Sequence, residues 1–276
     1  MMQIFSSFRP GASAMPRGRA LRTFARFAAA AMVLAAGSAQ ADVLDQVRAA
    51  GAVRVAVVQD YPPFGSVGPD MQPQGFDIDL ARMLGERLGV RTELVKVITA
   101  NKIPYLTTGR VDVLLNIGFN EERDKVVDFS QPYAPYFVGV YGPVGTAVAS
   151  ASDLGGRSVS VTAGTIEDLL LTKHMAADTK VMRYEDNTST ISAFMSGQAE
   201  FIAIGNIVAA TVLAKQPARK AEQKFLMMNS PVRAAVNEGE ARLLAEVDAA
   251  IGEAKRTGEL NRMSERWLAQ SLPEGF

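Results

Sequence analysis

From Val53 onward, short runs rich in β-branched residues alternate with segments whose apolar residues recur at helical spacing. That alternation is the mark of βα units wound around a mostly parallel sheet, and it limits the fold more tightly than any composition figure. The first series opens with a strand at residues 53–58. Phe76, Leu80, Met83, Leu84 and Leu88 then repeat on one helical face, and Gly89 stands where a helix stops. A strand at 92–97, a helix at 103–108 and a strand at 111–115 follow. A second series runs through strand 158–161, helix 166–174, strand 180–184, helix 190–196, strand 201–204 and helix 207–215.

Two series predict two α/β lobes, each a doubly wound, mostly parallel sheet. Between them, residues 133–143 form an aromatic, Pro/Gly-rich crossing, and the second series ends near 229–233. The amphipathic helical tail at 241–268 has no strands of its own to cover, so it must pack on the earlier lobe. The chain then crosses twice, which makes a hinge. Lobe one is expected at 42–136 and 234–276, and lobe two, with the hinge segments, at 137–233.

Ahead of both lobes, Arg9, Arg17, Arg19, Arg22 and Arg26 stand in a stretch without acidic residues that runs into an apolar segment at 27–36. That segment is shorter than the ~20 residues of a spanning helix, and Ala39, Gln40 and Ala41 give the small-x-small pattern of a signal-peptidase site. Residues 1–41 are expected to be a cleaved signal peptide. A lipid anchor would need a Cys at that site, and the sequence contains none. The remaining 235 residues carry 24 basic and 29 acidic side chains. Such a surface lacks the clustered basic charge of a nucleic-acid binder. A core of this size needs no disulfide.

Open doubly wound sheets bind ligands beyond the carboxyl ends of their strands, and two such sheets facing each other across a hinge form a closable cleft. The relevant segments carry Asp60-Tyr-Pro-Pro-Phe64, Gly75-Phe-Asp-Ile-Asp-Leu80, Ile103-Pro-Tyr-Leu-Thr-Thr-Gly-Arg-Val-Asp112 and Glu122-Arg-Asp-Lys-Val-Val-Asp-Phe-Ser130. Ala163-Gly-Thr165 and a Gly258-Glu-Leu…Trp267-Leu ending complete the set. In this order the motifs are specific, and the chain resembles the bacterial extracellular solute-binding proteins of family 3, the polar amino-acid receptors of ABC importers. The resemblance implies the type II periplasmic-binding-protein fold, a periplasmic monomer that is not an enzyme, and no cofactor or metal. It also implies a small, carboxylate-bearing ligand and an ABC transporter permease as partner.

The residues themselves admit physical readings. Tyr61 precedes two prolines that stiffen its loop, so its ring can form a wall for a ligand's apolar portion; the bland alternative is lobe packing, which suits Phe64. Arg123 presents a planar, always-charged fork that grips a carboxylate through two hydrogen bonds. By composition alone a surface pair with Glu121, Glu122 or Asp124 would be favoured, and the resemblance decides for the ligand. Gly118 would offer a backbone group and Asn116 a side-chain amide. In lobe two, Gly164, Thr165 and Ile166 stand at a helix start whose free N–H groups favour a negative group, although Thr165 also reads as a plain helix cap.

Departures from the family pattern bear on the ligand. Many relatives place an acid for the ligand's ammonium where this chain has Val58, and another where it has Gly205 and Asn206. Any amine is then expected to meet Asn206, Asn116, Asp60, backbone carbonyls or water. A second aromatic wall of some members falls near Thr99. His174 is the sole histidine, so neither a metal cluster nor a histidine triad can be assembled. Trp267 and the methionines read as core. Two other classes compete: a periplasmic dehydratase acting on prephenate or arogenate, with Asp60 and Glu167 as remote acid candidates, and a free receptor feeding a separate sensor. N-terminal sequencing of exported protein is expected to read from Asp42; an intact leader on exported material overturns that assignment.

Overall fold

Residues 42–215 and 220–276 are described by a computed structural model, and the leader expected at residues 1–41 lies outside them. Helix α1 (Val43–Ala50) starts where the Asp42 carboxylate accepts the Asp45 N–H at 3.0 Å, and ends at Gly51, whose φ of 64° is left-handed. Strand β1 (Ala52–Val57) follows; Val53, Val55, Ala56 and Val57 are all fully buried, as in a strand covered on both faces. A hairpin of β2 (Ser66–Val67) and β3 (Pro73–Gln74) leads into helix α2 (Phe76–Leu88). Gly75 makes that entry possible. Its φ is 138°, and a Cβ there would lie 2.2 Å from the Phe64 carbonyl oxygen.

Strand β4 (Arg91–Lys96), a 3₁₀ turn, helix α3 (Lys102–Thr107), strand β5 (Val113–Ile117) and strand β6 (Val127–Ala134) complete the first pass. The second lobe holds β7 (Phe137–Pro143), β8 (Ser158–Thr162), α4 (Ile166–His174), β9 (Lys180–Tyr184) and α5 (Asn187–Met195). It continues with β10 (Phe201–Gly205), α6 (Asn206–Lys215) and β11 (Ala221–Asn229). Strand β12 (Val232–Asn237) returns to the first sheet, and helices α7 (Ala241–Arg256) and α8 (Glu259–Leu268) close the chain. Sheet one has the order β4-β1-β5-β12-β6 with only β12 reversed; sheet two has the order β11-β7-β10-β8-β9 with only β7 reversed. The fold is the two-lobed α/β architecture with two hinge crossings.

The second expected helix series coincides with the structure at α4 and β9, and α2 ends at Gly89 as its sequence indicates. Three readings are refined. The crossing lies within residues 133–143 as expected, but β6 and β7 run through that segment and the passage between sheets narrows to Pro135 and Tyr136. Proline and glycine in the segment mask strands whose buried residues, Tyr133, Ala134, Val138 and Val140, are fully inaccessible. The tail is two helices, broken at Gly258 with φ 73°. Strand β12 begins at Val232, so the return to sheet one starts before residue 234. There α7 packs on β6 and on α2, which is how the tail finds its lobe. The two crossings are tied together where the Ser230 N–H donates to the Tyr136 carbonyl at 2.9 Å.

One polar cluster fixes the cleft end of β5. The buried Asp77 carboxylate accepts from the Tyr133 hydroxyl at 2.7 Å and from Asn116 Nδ2 at 3.0 Å. Tyr133 in turn accepts the Asn116 N–H at 2.8 Å, holding that residue at φ 57°. Burial raises the Asp77 carboxyl to about 6, against these hydrogen bonds and the Lys102 charge. Tyr133→Phe removes both contacts of one hydroxyl from a buried network and is expected to cost about 1–3 kcal/mol in denaturant unfolding. An unchanged midpoint would show that the network does not hold the strand end.

Candidate functional site

A cleft of about 440 Å³ opens where the carboxyl ends of the parallel strands of both sheets meet. From lobe one it is lined by the expected Tyr61, Asn116, Gly118 and Arg123, and from lobe two by the expected Gly164, Thr165 and Ile166. Val58 and Thr99 line it as well, one apolar and one small and polar, so neither the acid of many relatives at the first nor the aromatic wall of some members at the second is present.

Arg123 reaches across it. Nη1 donates to the Gly118 carbonyl at 2.7 Å and Nη2 to the Gly164 carbonyl at 2.9 Å, so one side chain joins the two lobes. A guanidinium has five donors, and two carbonyls use two of them. Burial pushes the group down from its ordinary value while the Glu167 charge opposes that shift. Tyr61 is held by its own loop: its N–H donates to the Gly65 carbonyl at 2.9 Å and its carbonyl accepts the Phe64 N–H at 2.9 Å. Phe64 is fully buried against Phe76 and Tyr136, which is a packing role.

Several expected contacts go elsewhere. Gly205 and Asn206 are outside the lining: a Cβ on Gly205 would fall 1.9 Å from the Tyr136 ring, and Asn206 Oδ1 accepts the Phe137 N–H at 3.0 Å. Both residues serve the hinge. One hydrogen of the Asn116 amide is taken by Asp77, and its backbone carbonyl accepts from Lys102 Nζ at 2.5 Å. Asp60 also has partners. Its Oδ2 accepts the Asn187 N–H at 2.7 Å and the Thr188 N–H at 3.3 Å, capping α5 of the opposite lobe. The Thr165 hydroxyl accepts the Asp168 N–H at 3.2 Å and donates to the Thr162 carbonyl at 2.8 Å, the plain helix-cap role.

Sequence reasoning missed three polar residues that line the cleft and are buried, Asn187, Lys102 and Ser230, and assigned a fourth, Glu167, only a remote role. Glu167, 4 % exposed on the first turn of α4, accepts from the Tyr136 hydroxyl at 3.0 Å, and Tyr136 contacts the Tyr61 hydroxyl. Burial raises the Glu167 carboxyl; its own backbone N–H, Tyr136 and the Arg123 charge oppose the shift. Lys102 is 7 % exposed, and burial pushes its ammonium down to about 8. Ser230, on the returning crossing, is 5 % exposed and its hydroxyl has no hydrogen-bond partner. A lysine inside an Ile-Pro-Tyr-Leu helix reads as solvated from sequence, and a serine before a proline reads as a turn; no pattern signals either one.

The sequence matches the family described as bacterial extracellular solute-binding proteins, family 3, over residues 53–270. It is 28 % identical over 235 residues to the L-cystine-binding protein TcyJ of Escherichia coli, covering 83 % of this chain and 87 % of that protein. A mutant of ArgBP from T. maritima superposes with a TM-score of 0.77 at 27 % identity, covering 82 % of this chain and 99 % of the other. The ancestral amino acid-binding protein AncCDT-1, a precursor of cyclohexadienyl dehydratase, gives a TM-score of 0.73 at 28 % identity, with 83 % and 100 % covered.

Because its folded value lies below the 10.5 of an unperturbed lysine, Lys102 destabilises the empty protein at every pH below about 8, and that penalty lifts as pH rises from about 8 towards 10.5. Lys102→Met is therefore expected to stabilise the ligand-free protein at neutral pH by roughly 1–3 kcal/mol, read as a higher Tm. A lower Tm would mean that the bond to Asn116 outweighs the burial penalty.

Proposed function

This chain belongs to the bacterial extracellular solute-binding proteins, family 3, and from that premise we propose that it captures an amino acid or close relative by hinge closure and delivers it to an ABC importer. The exported protein works in the periplasm as a monomer, with its leader removed after Ala41. The observation that carries the reading is Arg123, a partly buried guanidinium in the cleft between the lobes with donors to spare beyond Gly118 and Gly164.

In this reading Arg123 holds the ligand's carboxylate and Tyr61 supplies an apolar wall. Glu167 takes the ammonium in place of the acids missing at Val58 and Gly205. An ammonium beside Glu167 would favour its charged form, which burial alone disfavours. Gly118 and Gly164 present backbone groups at the same level of the cleft, while Thr165 and Ile166 bring the start of α4 against the ligand. Closure then couples to binding because Arg123 touches both lobes.

Glu167 also favours a second reading, a dehydratase acting on prephenate or arogenate, since a buried carboxyl with a raised pKa in a cleft suits a general acid. Its hydrogen bond from Tyr136 and its charge partner Arg123 suit ligand holding better. Turnover of either compound by the purified protein would favour the enzyme.

A thermal-shift screen of amino acids and small carboxylates identifies the ligand, since a compound at 100 times its Kd adds about 2.7 kcal/mol. With it, Arg123→Ala is expected to cost roughly 2–5 kcal/mol of binding, ~30-fold or more in Kd, and Arg123→Lys to recover only part. Near-native affinity of a folded Arg123→Ala protein in calorimetry sinks the anchor.

A further inference from the structure

We propose that Lys102 and Ser230 form a second polar subsite in the cleft, which receives an anionic group on the ligand's side chain, so that the preferred ligand is an amino acid with a second carboxylate or equivalent anion. The proposal rests on the amino-acid-receptor reading and narrows it.

An ammonium carries three donors, and Lys102 uses one of them on the Asn116 carbonyl. The nearest acid to offer a counter-charge is Asp77, yet both its oxygens are already engaged, one by Tyr133 and one by Asn116. Lys102 is thus a buried cation, facing the cleft, held by a carbonyl and left with two donors. Ser230 supplies the second observation. Its hydroxyl is buried, lines the same cleft and lacks a partner, while its backbone is fixed to Tyr136. Buried hydroxyls are almost always paired, so an unpartnered one on a residue that lines the cleft points to a partner brought in by the ligand.

The two side chains flank one strand end. Lys102 bonds Asn116, and Ser230 Oγ lies 2.9 Å from where a Cβ on Gly118, two residues further on, would sit. Charge bookkeeping sets the ligand class. A ligand whose α-carboxylate meets Arg123 and whose ammonium meets Glu167 leaves Lys102 with Asp77 as its counter-charge but with two ammonium donors unused. A neutral apolar side chain would close the lobes over those unused donors, whereas a carboxylate would take them up and accept from Ser230 as well. An amide offers these donors a single, uncharged acceptor in place of two charged ones, which is how such a site would discriminate against the neutral isostere.

The test uses isosteric pairs on the full exported protein: L-aspartate against L-asparagine, L-glutamate against L-glutamine, and L-2-aminoadipate against L-lysine as a charge-reversed partner. Calorimetry is expected to give at least ten-fold tighter binding of one acid than of its amide. Lys102→Met should abolish that preference while binding of the amide persists or improves, and Ser230→Ala should weaken the acid several-fold. Because Lys102→Met is expected to be more stable than the parent, lost binding in it is not a folding failure. An amide bound as tightly as its acid, or a preference unchanged in Lys102→Met, overturns the subsite and leaves the receptor reading standing. No response to any amino acid overturns both.

Discussion

The buried carboxylate of Asp77 is the fixed point from which the cleft is built. It accepts from Tyr133 and Asn116, two residues from different strands, and so locks the end of β5 against β6. Asn116 is held in a left-handed conformation that few residues other than glycine adopt readily, and its amide replaces the stabilisation that a plain strand end lacks. Everything that follows depends on that turn. Its carbonyl orients Lys102, Gly118 two residues on receives Arg123, and the loop to Arg123 is closed by the bond from the Arg123 N–H to Asn120 Oδ1 at 2.8 Å. The acid tolerates burial because both oxygens are satisfied and Lys102 is near enough to favour its charge.

The lobes meet through a small number of polar contacts at different heights. Asp60 caps α5 from across the cleft, Arg123 reaches the Gly164 carbonyl, and Tyr61 touches the Tyr136–Glu167 pair. Each contact uses a group that water would otherwise satisfy when the lobes part, so each adds little net stability to closure by itself. That balance suits a receptor. A protein held shut by an apolar interface could not release cargo, while one with no contact between its lobes would bind only through the ligand. Arg123 occupies the sensitive place among these contacts, because a carboxylate beside it would strengthen a bridge that already exists.

The periodicity made the lobes and most elements legible: a helix ending at Gly89, the α4 helix and the β9 strand stand where the apolar pattern and caps put them. The strands β6, β7 and β11 were not legible, because Pro132, Pro135, Gly139 and Gly142 punctuate β6, β7 and the turn between them, and β11 alternates irregularly around two register shifts. At the site, motif order brought out Tyr61, Gly118, Arg123 and the start of α4. It failed for Gly205 and Asn206, whose environment is set by Tyr136 packing from the hinge, and for Asn116, whose amide partner is 39 residues away. Lys102 and Ser230 were invisible for the same reason: their surroundings are set by residues distant in sequence, Asn116 beside Lys102 and Gly118 beside Ser230, and no local window of sequence records them.

In and just behind the cleft, Asp77, Lys102, Arg123 and Glu167 stand where burial works against their charged forms. Structure alone would be served better by apolar residues of similar volume, because well-packed hydrophobic replacements of buried charges are often neutral or stabilising. For Asp77 a structural account suffices, since its oxygens organise a strand end. Lys102 offsets the Asp77 charge but keeps donors beyond its one bond to the Asn116 carbonyl, and Glu167 on the far wall organises no strand end. Perturbed groups of opposite sign on opposite walls of a single cleft are what a zwitterion with an added anion would relieve, and the relief would be available only once the lobes have closed around it.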